Sequence, residues 1–432
     1  MTGELSTTAA VTRDLIRFDT TNWGGGRAKG ETEAAEYLGA ILEGLGLQPR
    51  YFDSEPGRTS VVARVPGRDP SLPALVVHGH TDVVPAEAAA WSVDPFGGVV
   101  RDGMLWGRGA VDMKDMDAMI VTAIGEILGS GRLPERELVV AFFADEENGG
   151  VYGSHFLARE HPELFAGATE AVSEVGGYSI DVGGRRAYLL QTGEKALVWI
   201  RLVATGPAAH GSRHVPENAV TRLAEAVARI GRRQWPVTLT ATTEGLLGEL
   251  RRLTVGSGTG EAEDLISTTG TAAGFLLPSI RTTTNPTVLS AGYKHNVIPD
   301  HAEALLDLRP LPGEEEAVLA EIRGMLPEGV ELEIVHRDIG LEFPFEGPTV
   351  NAMIAALHRH DPGAPVLPYL MPAGTDNKAL STLGIRGYGF APLRLPADLD
   401  FPGLFHGIDE RVPLDALDFG TAVLRDLLLG DH

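Results

Sequence analysis

Cysteine is absent from the 432-residue sequence. That excludes disulfides, cysteine-ligated zinc, iron–sulfur clusters and a thiol nucleophile. Any metal must then be held by His, Asp or Glu. Lysine is scarce, at five of the 36 basic residues, which reads as a genomic composition bias more than a function. No apolar run reaches the about 18 residues needed to span a bilayer. The opening MTGELSTTAAVTRDLIRF lacks a basic start followed by an apolar core, so no signal peptide is expected. A cytoplasmic protein is the default. Positive charge is also short: 59 acidic against 36 basic residues leave a net charge of -23. A polyanion of this size repels DNA, RNA and anionic membranes, and no basic stripe offsets it. Neither nucleic acid nor a membrane is an expected partner.

Apolar residues make up 43% of the chain and charged residues 22%, as in a packed globule. The length exceeds that of one ordinary core, so a large domain with an added module is expected. Residues 31–46 and 113–129 have helical spacing, while 60–67, 74–82 and 137–147 read as strands. Two of these strands are apolar runs that end in His, Asp or Glu, as at the active edge of an α/β sheet. The pattern changes near residue 190. Strands over 195–206, 303–310 and 330–337 alternate with helices over 216–231 and 314–326, around a looser Thr- and Gly-rich stretch over 237–295. The α/β pattern returns at 349–360, so the second unit is read as inserted into the first.

Five sites carry chemistry-bearing residues. In HGHTDVVP (78–85), His80 and Asp82 share one side of a strand, so the carboxylate can orient a ligating imidazole; two satisfied histidines would look the same. Asp112 follows a Gly-rich turn in WGRGAVDMKD (106–115), where a plain helix cap is the alternative. Lys114 and Asp115 read as first-turn surface residues. In FFADEENGG (142–150), Asp145, Glu146 and Glu147 close an apolar strand, and burying three anions without a cation is costly. One glutamate could hold a metal and its neighbour move a proton, unless the loop is merely solvated. Glu174 in SEVGG (173–177) and His406 with Glu410 in LFHGIDE (404–410) are weak alone. Together, two His and several carboxylates suit two borderline cations such as Zn²⁺.

The ordered blocks GHTDVVP, GRGAVDMKD, ADEENGG, SEVGG, HGS (210–212), NVIP (296–299), DLRP (307–310), GTD (374–376) and FHGIDE resemble the M20 metallopeptidase family across nearly the whole chain. Residues 156–179 resemble most its carboxypeptidase S-like branch. The resemblance implies a zinc-exopeptidase-like α/β catalytic domain with a mixed central sheet, over 1–189 and 341–432. It also implies an inserted two-layer α+β lid and dimerisation domain over 190–340, with a homodimer formed through it. Two Zn²⁺, sometimes replaced by Co²⁺ or Mn²⁺, would be bridged by Asp112. His80 and Glu174 would complete one site, and Glu147 and His406 the other. Asp82 would orient His80, and Glu146 would be the general base. His210 would donate to the oxyanion, in many members from the other subunit. Arg309 and Asn296 would read the substrate's carboxylate. Gly374 would allow close backbone approach, with Thr375 or Asp376 ordering the site. NKAL after GTD departs from the family's small residues, which leaves Asn377 open, as is the role of 237–295. The implied activity is hydrolysis of an amide next to a free carboxylate, in a dipeptide, a C-terminal residue or an N-acyl amino acid. The other reading is a non-catalytic metal-binding scaffold of the same fold, which would normally have lost a ligand or the base.

Overall fold

The computed structural model describes residues 5–254 and 260–430. Residues 255–259, in the middle of the Thr- and Gly-rich stretch, and the extreme chain ends lie outside the described residues. Ten strands form one mixed sheet. Its path runs from Ser179–Val182 through Arg185–Glu194, Arg386–Gly389, Ala168–Ser173, Ala74–His80, Leu138–Phe143 and Thr59–Val65 to Arg50–Asp53. Leu341–Glu342 and Val366–Met371 also pair with Arg185–Glu194. The centre is parallel, with Ala74–His80 between Leu138–Phe143 and Ala168–Ser173.

Parallel strands are covered on both faces, which is why ALVVHGH and LVVAFF are buried at every position. Side chains alternate between the faces. Leu75 and Val77 join the larger core, beneath the helices Thr7–Ile16, Lys114–Gly129 and Leu414–Leu429. Ala74 and Val76 join the opposite core with Leu157 and Leu380. His78 and His80 continue that second phase to the carboxyl end of the strand.

A second, fully antiparallel sheet has the order Thr283–Ala291, His301–Arg309, Leu197–Thr205, Val330–Asp338. Helices Ala219–Gly231 and Glu315–Met325 cover one face with Leu223, Ile230, Leu319 and Ile322. Asn218 caps the first of these helices by accepting from the Thr221 amide. The other face exposes Val288 and Leu305. The chain passes between the two sheets at 195–196 and returns at 339–340.

The stretch over 237–295 is more ordered than its composition suggests. It forms helices Ala241–Leu253, Ala262–Ser267 and Ala273–Leu276, then the edge strand Thr283–Ala291. Thr240 closes a capping box with Thr243. Leu246, Leu250, Ile266 and Leu276 are buried in the larger core, so these helices pack on the body and not on the second sheet. Among the described residues, no helix is long and apolar enough to cross a membrane.

Candidate metal centre and active site

The carboxyl ends of the parallel strands deliver the acidic and histidine residues to one place. His80 ends its strand and is wholly buried. Glu146 and Glu147 lie in the turn after Leu138–Phe143, and Glu174 follows Ala168–Ser173. Asp112 stands just before the helix Lys114–Gly129, and His406 comes from a loop before the last helix. His80 Nε2 lies 3.2 Å from Asp112 Oδ1, 3.6 Å from Glu174 Oε2 and 3.8 Å from Glu146 Oε2. His406 Nε2 lies 3.2 Å from Asp112 Oδ2 and 3.1 Å from Glu147 Oε2. The two oxygens of Asp112 therefore face different imidazoles.

Two overlapping donor sets, His80–Glu146–Glu174 and His80–Asp112–Glu147, are each compact enough for one cation. The electrostatics agree. Burial raises Glu146 well above the usual carboxylate range, and the charge of Glu174 adds to this. Burial takes Glu174 up to about 7, although His80 opposes it. Burial disfavours imidazolium at His80, yet Glu174 and the hydrogen bonds to Asp112 and Asp82 carry its pKa well above the usual value. Four carboxylates and two imidazoles thus converge on one place, most of them buried. An oxygen- and nitrogen-rich donor set of this kind fits divalent cations.

The turns are held by residues behind them. Asp82 accepts from the amides of Glu146 (3.0 Å) and Glu147 (3.2 Å) and from Asn22 Nδ2 (2.9 Å). His80 Nδ1 is closer to the Asp82 carbonyl (3.0 Å) than to its carboxylate (3.5 Å). Asp82 thus anchors the Glu146–Glu147 turn as well as standing beside His80. Three non-glycine residues in these loops, Asp145, Val175 and His406, have φ of 67°, 51° and 58°. Such conformations cost about 1–3 kcal/mol each and persist where packing over-determines them. At Gly389 a Cβ would collide with the carbonyls of Glu174 and Val175, so only glycine lets that strand lie under the Glu174 loop.

The model of peptidase family M20/M25/M40 matches residues 76–430. The chain belongs to that family. Aminoacylase-1 of Pongo abelii is 28% identical over 402 residues, covering 89% of this chain and 87% of the relative. An N-fatty-acyl-amino acid synthase/hydrolase of Danio rerio is 29% identical, covering 85% and 75%. Among solved structures, the M20 family metallo-carboxypeptidase Sso-CP2 of Sulfolobus solfataricus superposes with a TM-score of 0.76 at 17% identity, over 98% and 99% of the chains. This M20 protein is a metal-dependent hydrolase of amide or peptide bonds.

The remaining residues fall into two groups. A cavity of about 400 Å³ opens over the cluster, and Arg309, Gly374, Trp199 and Phe275 line it. Arg309 makes a bidentate pair with Asp307 (2.6 and 2.9 Å) and also lines the cavity. Thr375 lies behind the wall and donates to Glu194 at 2.9 Å. His210 and Asn296 do not line the cavity. They are exposed on a short ribbon pairing Ala209–His210 with Val297–Ile298, where His210 Nδ1 lies 2.8 Å from Ser212 Oγ.

Lys114 and Asp115 are a correction: both are buried, and Lys114 Nζ donates to the Phe18 carbonyl at 2.8 Å. The first turn of their helix points into the body because three other helices and the sheet close around it. Sequence reasoning also missed the braces. Glu410 pairs with Arg108 (2.6 Å) and accepts from the amides of Val111 (2.7 Å) and Asp112 (3.2 Å), fixing the Asp112 loop. Arg58 joins Glu31 (2.7 Å) to Asp145 (2.9 Å) behind the glutamate turn. Asn377 Oδ1 meets the buried His78 Nε2 at 3.0 Å. Lys378 Nζ donates to the carbonyls of Lys195 (2.7 Å) and Ile339 (3.0 Å), where the chain passes between the sheets.

Proposed function

We propose that the cluster holds two divalent cations, Zn²⁺ in the first place with Co²⁺ or Mn²⁺ as substitutes. Asp112 would bridge them, His80 and Glu174 would complete one site, and Glu147 and His406 the other. The observation that carries this reading is the Asp112 carboxylate, with one oxygen toward each imidazole. When bound, such a pair of cations acidifies water and polarises a carbonyl. Glu146 is the general base: burial, with the Glu174 charge adding to it, raises its proton affinity above that of an ordinary carboxylate, the direction in which a general base is tuned. It takes a proton from the attacking water and returns it to the leaving nitrogen.

The substrate is an amide next to a free carboxylate, in an N-acyl amino acid, a dipeptide or a C-terminal residue. Arg309 grips that carboxylate, exchanging or sharing Asp307 as its partner. The similarity to aminoacylase-1 favours N-acyl amino acids for the first assays. The inserted unit over 190–340 acts as a lid, while its helices over 241–276 stay with the body. His210 supplies an oxyanion donor from a second copy of this chain, with Asn296 beside it on the same ribbon. The exposure of both residues and their absence from the described cavity lining support this arrangement.

The decisive experiment combines elemental analysis with hydrolysis of a panel of N-acetyl amino acids and dipeptides. The expected result is two equivalents of metal per chain, lost together with activity on chelation and restored by Zn²⁺. A purified protein that binds no metal, or binds it and cleaves no amide, overturns the reading.

A further inference from the structure

The cavity over the cluster has two unlike walls. Its acids, Asp112, Glu146, Glu147 and Glu174, belong to the floor, and Arg309 is the one guanidinium among the described lining residues. Above the floor the lining turns apolar, with Phe275, Phe405, Met371, Leu197 and Trp199. Phe275 and Phe405 stack, with centroids 5.8 Å apart and planes at 19°. Phe405 also meets Phe401 edge-on at 5.2 Å. The stack begins one residue before His406, so an apolar surface stands directly beside the reacting centre.

Phe275 comes from the short helix Ala273–Leu276, in the stretch that packs on the body. Its position is fixed from several sides. Ala272, Leu276 and Ile280 are buried in the larger core. Ser279 Oγ donates to the Leu370 carbonyl at 2.5 Å. The buried Lys195 Nζ donates to the carbonyls of Pro278 (3.1 Å) and Arg281 (2.8 Å) and to Thr283 Oγ1 (3.1 Å). The residues over 272–283 thus hold the Phe275 ring in place at the cavity.

Resting on the hydrolase reading above, we propose that Phe275, stacked on Phe405, is a specificity-determining residue that selects substrates with an uncharged hydrocarbon or aromatic group next to the scissile amide. A polar or charged group there would lose its hydration against Phe275, Phe405 and Met371 without gaining a partner. An apolar group gains by leaving water. The group has two possible sources, the acyl chain or the side chain of the amino acid that leaves.

Two substrate pairs separate the sources. One pair keeps the amino acid and compares N-acetyl with N-benzoyl. The other keeps the acetyl and compares glycine with phenylalanine. Wild type should favour the larger member in at least one pair. Phe275→Ala should lower that large-to-small ratio of kcat/KM by about 10-fold or more, the scale of discrimination from apolar pocket contacts. Phe275→Trp should penalise the larger member first by filling the space. Metal content should stay at the wild-type level in both variants. Ratios unchanged in both pairs would overturn the proposal. If Phe275→Ala does not fold, Phe275→Leu and Phe275→Trp carry the test, and unchanged ratios in those two are equally decisive against it.

Absence of any hydrolysis by the wild type would sink the hydrolase reading and leave the subsite to calorimetry. N-benzoylglycine should then bind wild type at least about 10-fold more tightly than N-acetylglycine, and Phe275→Ala should lose that preference. Equal affinities would overturn the subsite.

Discussion

Two parts of the molecule hold residues that the M20 pattern assigns to one reaction, and they are built in opposite ways. The floor of the cavity is made of loop residues braced from behind. Asp82 holds the glutamate turn, Glu410 and Arg108 hold the Asp112 loop, and Arg58 ties Glu31 to Asp145. Among the described residues, the ribbon with His210 and Asn296 has no buried ion pair bracing it. Its two strands are two residues each, and both side chains face solvent. A floor of this kind is fixed within one chain, whereas the ribbon leaves both side chains exposed. On the proposed function, the contrast would separate groups held exactly before substrate arrives from groups that dock with it.

The largest effect is expected on the floor. Glu146→Gln keeps the shape of the side chain but cannot take a proton at neutral pH. It should lower kcat by about 10²–10⁴-fold, the usual worth of positioned acid–base catalysis, with metal content unchanged. Glu147→Gln should lose metal instead, and elemental analysis of both variants checks this division of labour. Turnover by Glu146→Gln above about a tenth of wild type would remove Glu146 from the role of base.

On the ribbon, His210→Ala should cost about 2.7–4 kcal/mol in transition-state binding, as for one oxyanion donor, again with full metal content. Mixing His210→Ala with Glu146→Gln protomers should restore activity, because a heterodimer then holds one intact site. No recovery despite proven subunit exchange would place the donor in the same chain and erase the comparison.

Arg309 lies between the two cases, since it lines the cavity but belongs to the second sheet. Arg309→Ala should cost roughly 2 kcal/mol in kcat/KM for a free acid, the low end for a hydrogen-bonded charge pair because Arg309 is only half-buried. The matched amide should lose far less. Equal losses on acid and amide would mean that Arg309 serves only to hold Asp307.

The smallest effect tests the second unit alone. Asn218→Ala removes a helix cap and should lower stability by about 1 kcal/mol, read by denaturant unfolding, with little change in kcat. A large loss of turnover would show that the floor depends on that unit more than its bracing suggests.

The parallel strands were legible because apolar runs such as LVVAFF end abruptly in acids, and both faces of that sheet are covered. Three of the ligand candidates, His80, Glu147 and Glu174, lay at or just after those ends, so chemistry and fold pointed to the same places. The braces were not legible. Nothing local distinguishes Arg58 or Glu410 from surface charges, because their partners come from Glu31 and Arg108, distant in sequence. Lys114 misled for a related reason: a charged first turn looks solvated until the helices that surround it are known. In the stretch over 237–295, the Thr240 cap and the spacing of Leu246, Leu247 and Leu250 were visible. Gly245, Gly248 and the threonines masked them, because those residues disfavour helices in isolation.

The strand Arg386–Gly389 has a consequence for how the chain is made. It lies between Ala168–Ser173 and Arg185–Glu194, two neighbours encoded about two hundred residues earlier. The helix Leu414–Leu429 likewise packs on Thr7–Ile16 and Lys114–Gly129. A ribosome that has released only the first half of the protein holds a sheet with an open slot at its centre and unpaired edges on both sides. Such edges are templates for wrong pairing. Synthesis must run past residue 389 before the slot can close, so these edges stay unpaired until the last strand of that sheet has been made.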